Sequence, residues 1–179
     1  TDLLIWPETA LPYLYHYHYE YYSLVQDLLK EGKGPIMLGS SHLTKDRERY
    51  NSAFLIDQDG KEQRYDKIHI VPYGEYTPFK DYLSPELHDK MNKMIGMGPS
   101  LSEGREYRLL KLKGVPFGVN ICFEDVFPQN SVIYANKGAK FLLTLTNDAW
   151  FKESVGGQQH TAHAVFRSIE TALPSLRSG

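Results

Sequence analysis

Apolar positions along the chain fall into short runs separated by polar, glycine or proline breaks. Leu3, Leu4, Ile5 and Trp6 form one run. Pro7 closes it, because a residue without an N–H cannot extend a ladder, so a strand is expected over 3–6. Residues 14–31 have a helical pattern, ended by Gly32 and Gly34 with Pro35 beyond. Strands are predicted at 36–41, 50–57 and 63–71, the last two joined by the turn Asp57-Gln58-Asp59-Gly60. Residues 73–104 are rich in proline, glycine and methionine and read as a long loop holding a short helix near 87–95. Loops of that length in compact domains usually serve function. Strands at 107–113 and 115–122 flank Gly114; a helix at 129–136, a strand at 141–146 and a helix at 160–171 follow, before Pro174. Strands interleaved with helices, with no internal repeat or low-complexity linker, predict a layered α/β domain.

Composition narrows the possible partners more than the fold. At 179 residues, 41% hydrophobic and 23% charged, the chain can bury a core and needs no special class. A formal charge of −2 provides neither the basic footprint of a nucleic-acid binder nor an attraction to anionic lipid. The apolar runs are too short to span a bilayer. The chain opens directly on a strand and ends without a helix stop, so it reads as cut from a longer protein at both ends. The missing span is then expected of this piece only. Cys122 is the one cysteine, which excludes an internal disulfide and a cysteine-built zinc site.

Three runs each end on a reactive side chain. Glu8 follows the first run and Pro7; it is either a helix-start carboxylate complementing the dipole or a site residue. Lys67 lies in the 63–71 run, where alternation puts Lys67, His69 and Val71 on one face. Read locally, Lys67 is in water and Glu75, on the loop after it, is simply solvated. Cys122 ends the 115–122 run, with Glu124 and Asp125 just beyond. Alone it is either a small buried apolar group or a nucleophile. As a nucleophile it needs a nearby cation or base, and the turn after it could offer N–H groups to an oxyanion. Competing motifs are missing: no His-Glu-x-x-His, no cysteine pair and no Gly-x-Ser-x-Gly; Gly96-Met97-Gly98 is too short for a phosphate loop and follows no strand. His16 and His18, in the aromatic stretch 13–22, would diverge on a helix and share no metal.

Taken in order, Trp6-Pro7-Glu8, Tyr65-x-Lys67-x-His69 and Cys122-x-Glu124 resemble the Glu–Lys–Cys triad of the nitrilase (carbon–nitrogen hydrolase) superfamily. Four segments resemble its apolipoprotein N-acyltransferase branch: residues 6–12, residues 69–76, Leu145-Thr146-Asn147-Asp148-Ala149-Trp150-Phe151, and Gln159-His160 with Arg167-x-x-Glu170. Together they span nearly the whole chain. The resemblance implies an α/β fold, the nitrilase-like four-layer α-β-β-α sandwich truncated at both ends, with residues 1–179 as a partial catalytic domain. It implies membrane helices elsewhere in the parent, and a catalytic domain on the outer, periplasmic face of the bacterial inner membrane. It implies Cys122 as nucleophile, Glu8 as general base, Lys67 as the cation beside the tetrahedral intermediate, Glu75 as a further essential carboxylate, and Glu124 as the acid two residues on. Asn51, Tyr73, Phe123 and Trp150 would contact substrate. The implied reaction moves an acyl chain from a phospholipid, through a cysteine thioester, to the α-amino group of a diacylglyceryl-modified apolipoprotein, with no cofactor, no metal and no nucleic acid. The apolar groups of the 73–104 loop, Met91, Met94, Ile95 and Met97, would form a lid touching acyl chains or fill a core. Two departures are Phe123, where tyrosine is common, and Glu170-Thr171-Ala172-Leu173-Pro174, where an arginine usually precedes the proline. A soluble carbon–nitrogen hydrolase using the same triad and a non-catalytic domain of the same fold are the alternatives.

Overall fold

The computed structural model describes residues 1–11, 14–79, 82–95 and 100–179, without the side chains at 88, 92 and 95. Two four-stranded sheets lie back to back. The first contains β1 (Leu4–Ile5), β2 (Ile36–Leu43), β3 (Arg49–Ile56) and β4 (Glu62–Asp66), in that order across the sheet. The second contains β5 (Leu110–Leu112), β6 (Val115–Ile121), β7 (Leu142–Leu145) and β8 (Ser175–Ser178), again in chain order. The pair β1–β2 is parallel and the β2–β3–β4 pairs antiparallel; β6, β7 and β8 are parallel.

The layers follow from strand periodicity. On β3, Ala53 and Leu55 join the core between the sheets, while Phe54 and Ile56 face the other way, under α1 (Tyr19–Lys30). On β2, Met37 faces the second sheet and Ile36 and Leu38 face the helix. α1 answers with Val25 and Leu29, four residues apart and both buried. On the far side, α3 (Pro128–Asn136) and α4 (Gly156–Thr171) cover the second sheet. The result is the expected α-β-β-α stack. α2 (Pro85–Ile95) stands in the long loop, close to its predicted place. Residues 96–99, including Gly96-Met97-Gly98, and Pro12 and Tyr13 lie outside the described residues.

Several expectations need correction. The helix expected from residue 14 is a 3-10 turn (Tyr15–Tyr17) followed by α1 proper, with His18 extended between them at φ −109°. Tyr15 is fully buried, its N–H 3.3 Å from Ser40 Oγ, and this anchor keeps the first turn off the helix axis. His16 therefore leaves the stretch altogether, pairing with Glu62 at 2.8 Å and packing on Phe54. The 107–113 strand shrinks to three residues, and β8 has no counterpart in the residue pattern. β8 is short and polar, and parallel pairing with β7 is what makes it a strand. The 63–71 strand ends at Asp66, which moves Lys67 from a solvent face to a buried bend. No helix among the described residues is long and apolar enough to cross a membrane.

Candidate active site

Strand ends from both sheets meet at one point. β1 pairs with β2 until Trp6, whose N–H donates to Met37 O at 2.8 Å. Pro7 then stops the ladder, and Glu8 turns toward the second sheet, its N–H 3.3 Å from Thr146 O. The turn fits only because Gly39 lies beneath it. A Cβ there would stand 2.7 Å from Glu8 Cα, 2.8 Å from Pro7 O and 2.9 Å from Thr9 N, all backbone atoms. Gly39→Ala should therefore displace Glu8. It should cost about 1–3 kcal/mol by overpacking and lower turnover more than the melting temperature shift alone would. Gly157→Ala, with nothing within 4 Å of its Cβ, is the control that should leave both unchanged. Thermal melts and activity measured on both variants check this.

Lys67 enters from the first sheet. Its N–H still reaches Asn51 O at 2.9 Å, and Gly104 N–H donates to its carbonyl at 2.7 Å, so β4 is held in line for one residue past its end. The side chain is 1% exposed. Its Nζ sits 2.9 and 2.8 Å from the two oxygens of Glu75, whose Oε2 also accepts from Val71 N–H. Burial pulls the Lys67 pKa down, but Glu75, Glu8 and Cys122 together outweigh it and leave it above the ordinary lysine value. Asn51 bridges the two carboxylates, donating to Glu8 Oε1 at 2.7 Å and Glu75 Oε1 at 3.1 Å. Glu8 Oε2 accepts from Asn147 N–H at 3.0 Å. The solvated reading of Glu75 and the watered reading of Lys67 are both corrected by this ion pair.

Cys122 arrives from the second sheet. Parallel register sets Ile121 opposite Leu145, so Cys122 stands beside Thr146 at the next level. The residue takes a left-handed backbone, φ 52°, which costs a non-glycine residue about 1–2 kcal/mol. That turn starts a 3-10 helix (Cys122–Val126) and brings the thiol to the Glu8 carboxylate and the Thr146 hydroxyl. Burial, and then the Glu8 charge, push the thiol up to about 11 against the pull of Lys67 and Thr146. At rest the sulfur is protonated, with a carboxylate in reach to take the proton.

Glu124 is placed differently from its neighbours. It is fully buried, and its hydrogen bonds go to Tyr65 Oη at 2.9 and 3.1 Å and to the N–H groups of Ile68, His69 and Ile121. Burial raises it to about 7, against those backbone donors. It ties the Lys67 bend to the Cys122 turn. Among the substrate-contact candidates, Asn51 is inside the cluster. Tyr73, Phe123 and Trp150 are exposed, each within three residues of a group in the cluster. His160 was not singled out by residue patterning. It lies against the Cys122 carbonyl at 3.2 Å, on a helix whose buried positions are His160, Ala164 and Arg167. Two polar residues seven apart, His160 and Arg167, on the helix face that also carries Ala164 are the signal that could have found it. Among the described residues, no group of three or more His, Cys, Asp or Glu is placed to hold a metal ion.

The chain belongs to the carbon–nitrogen hydrolase family, whose model matches residues 1–179. Its fold is shared with the solved carbon–nitrogen hydrolase of Helicobacter pylori G27, at a TM-score of 0.70 and 19% identity over 100% of this chain and 62% of that one. It is shared too with Nit3 of Saccharomyces cerevisiae, a member of branch 10 of the nitrilase superfamily, at a TM-score of 0.60 and 21% identity over 87% and 48%. Among curated proteins it is 37% identical over 182 residues to the apolipoprotein N-acyltransferase of Geobacter metallireducens, and 32% identical over 184 residues to that of Brucella suis. In each case 99% of this chain and 34% of the relative are covered. The chain thus spans about a third of the length of these relatives.

Proposed function

We propose that this chain is the catalytic part of an apolipoprotein N-acyltransferase. The observation that carries the proposal is the closed cluster of Glu8, Lys67 and Cys122 at three strand ends, in a chain similar over 99% of its length to proteins of that name. Glu8 takes the thiol proton as sulfur attacks the ester carbonyl of a phospholipid. Lys67 and a backbone N–H of the Cys122 turn hold the oxyanion. The carbon–oxygen bond breaks, Glu8 returns the proton to the leaving alkoxide, and a lysophospholipid departs from an acyl thioester. The α-amine of a diacylglyceryl-cysteine then attacks. The carbon–sulfur bond breaks, an amide forms, and the surplus amine proton passes through Glu8 to the released thiolate. Glu75 fixes Lys67, Asn51 fixes both carboxylates, and Glu124 holds the two loops in register. Exposed Tyr73, Phe123 and Trp150, with Leu87 and Met94 of α2, offer apolar surface to acyl chains. Such substrates place the domain at the outer face of a cell membrane, held there by other parts of its parent.

Intact-mass spectrometry of the full-length protein with phospholipid tests this. An acyl adduct on Cys122 should appear, and a diacylglyceryl-cysteine peptide should discharge it as an amide. Discharge to free fatty acid alone, with the peptide untouched, would replace this reading with that of a hydrolase. No adduct from any phospholipid would remove the thioester step.

A further inference from the structure

The buried side of α4 carries a histidine that none of these roles uses. His160 is 3% exposed, and both ring nitrogens face oxygens. Nε2 lies 3.2 Å from the Cys122 carbonyl and 3.1 Å from Asp125 Oδ1, and Nδ1 lies 3.1 Å from Asp148 Oδ1. A neutral imidazole has one N–H and one lone pair. A neutral ring protonated only at Nδ1 would aim its lone pair at the Cys122 and Asp125 oxygens. One protonated only at Nε2 would turn its lone pair to Asp148 Oδ1 and to Arg177 Nη2–H at 3.2 Å; the imidazolium donates to oxygens on both sides.

The surrounding charges select the imidazolium. Asp125, fully buried, has no hydrogen-bond donor to either carboxylate oxygen among the described residues, so the ion-pair contact with His160 offsets its charge. Asp148 already holds Arg177 through both oxygens, at 2.8 and 2.9 Å, and Arg177 Nη2 comes within 3.2 Å of His160 Nδ1. The charged groups facing the ring are thus Asp125 after β6, Asp148 after β7 and Arg177 on β8; Phe151 packs against the ring. Two carboxylates and one guanidinium leave one negative charge for the ring to balance. The Asp125 carboxylate raises His160 above its ordinary value against the opposing effect of burial, with Asp148 and the Cys122 carbonyl adding to it.

The atom held is the carbonyl of the left-handed residue. A trans peptide is planar, so fixing Cys122 O also fixes the Phe123 N–H, on the opposite side. Phe123 stands near the head of the 3-10 turn, where leading N–H groups have no intrahelical acceptor. We propose that protonated His160 is a positioning residue, whose hold on the Cys122 carbonyl locks the turn that presents the thiol and aims the Phe123 N–H at the oxyanion. The inference rests on the thioester reading above.

The test is single-turnover acylation of Cys122 in the full-length protein, with phospholipid in detergent micelles, followed by mass between about pH 5 and pH 10. In the parent, the rate should fall as pH rises through the raised His160 value. His160→Gln can still donate to the carbonyl but not to both sides. It should lower the maximal rate by about tenfold or more, leave the half-saturating lipid concentration unchanged, and lose that falling limb. Asp148→Asn, which keeps the histidine, should move the limb to lower pH. A His160→Gln protein at the parent rate, or one slowed but keeping the limb, overturns the inference. Carbon-13 imidazole NMR reads the titration of His160 without acyl transfer, so it serves even if His160→Gln fails to fold. A midpoint at or below the ordinary value of about 6.5 overturns the inference outright. A parent with the raised midpoint and no acyl adduct sinks the proposed function and leaves the buried imidazolium standing.

Discussion

Cys122→Ala should abolish the acyl adduct, and Cys122→Ser should form it at less than about one part in a thousand of the parent rate. Both proteins should melt within a few degrees of the parent, because neither change opens a large cavity or leaves a buried charge unpaired. The physical reason lies in the resting thiol. Held at about 11, it is ionised in only about one molecule in ten thousand at pH 7, so the resting site holds almost no preformed thiolate. Attack has to be coupled to proton transfer, and Glu8 is the carboxylate that meets the sulfur. A serine hydroxyl, far less acidic than the thiol, would ask Glu8 for a much steeper transfer. Glu8→Gln should therefore resemble Cys122→Ala in acylation, yet leave a thiol that iodoacetamide still alkylates at high pH. Adduct formation by the alanine variant at the parent rate would show that another group carries the acyl chain.

Much of this arrangement is legible along the chain, and what is not has a common cause. β3 is read correctly because its alternation reflects two buried faces, Ala53 and Leu55 against one layer and Phe54 and Ile56 against the other. Cys122 and Glu8 stand out in the sequence because each ends an apolar run, a local event. Lys67 misleads because its burial depends on Glu75 and Glu8, 8 and 59 positions away in sequence, and local alternation has no access to such partners. Glu75 fails for the mirror-image reason. β8 is invisible because only its parallel pairing with β7 makes it a strand. Glu124 and Asp125 are adjacent and identical in charge, yet one binds backbone N–H groups across the sheets and the other faces His160. No pattern of polarity separates them. Residue pattern thus locates where chemistry-bearing side chains leave the sheets, and the meeting of separate strand ends decides what each one does.

Lys67 carries the second large expected effect, and here fold and chemistry can be separated. Lys67→Met keeps the length of the stem and removes the cation from between two carboxylates. Breaking a buried pair on one side costs about 3–5 kcal/mol, and losing one oxyanion donor costs about 10²–10³-fold in rate. Both losses should appear, the first in chemical denaturation and the second in single-turnover acylation measured well below the new melting temperature. Lys67→Arg restores the charge but not the compact ammonium that two Glu75 oxygens enclose at 2.9 and 2.8 Å. It should recover most of the stability and little of the rate. The pH dependence has a definite sign. Because the folded value is raised above the unfolded one, Lys67 contributes its full stabilisation from neutral pH, where its carboxylate partners are charged, up to about 10.4, and loses it as pH climbs through the raised value. The difference in stability between parent and Lys67→Met should therefore be flat across neutral pH and shrink in strong alkali. If Lys67→Met matched the parent in both denaturation and acylation, Lys67 would be neither the buried counter-ion nor the oxyanion partner. A loss confined to stability would leave it the counter-ion alone and pass the oxyanion to the backbone of the Cys122 turn.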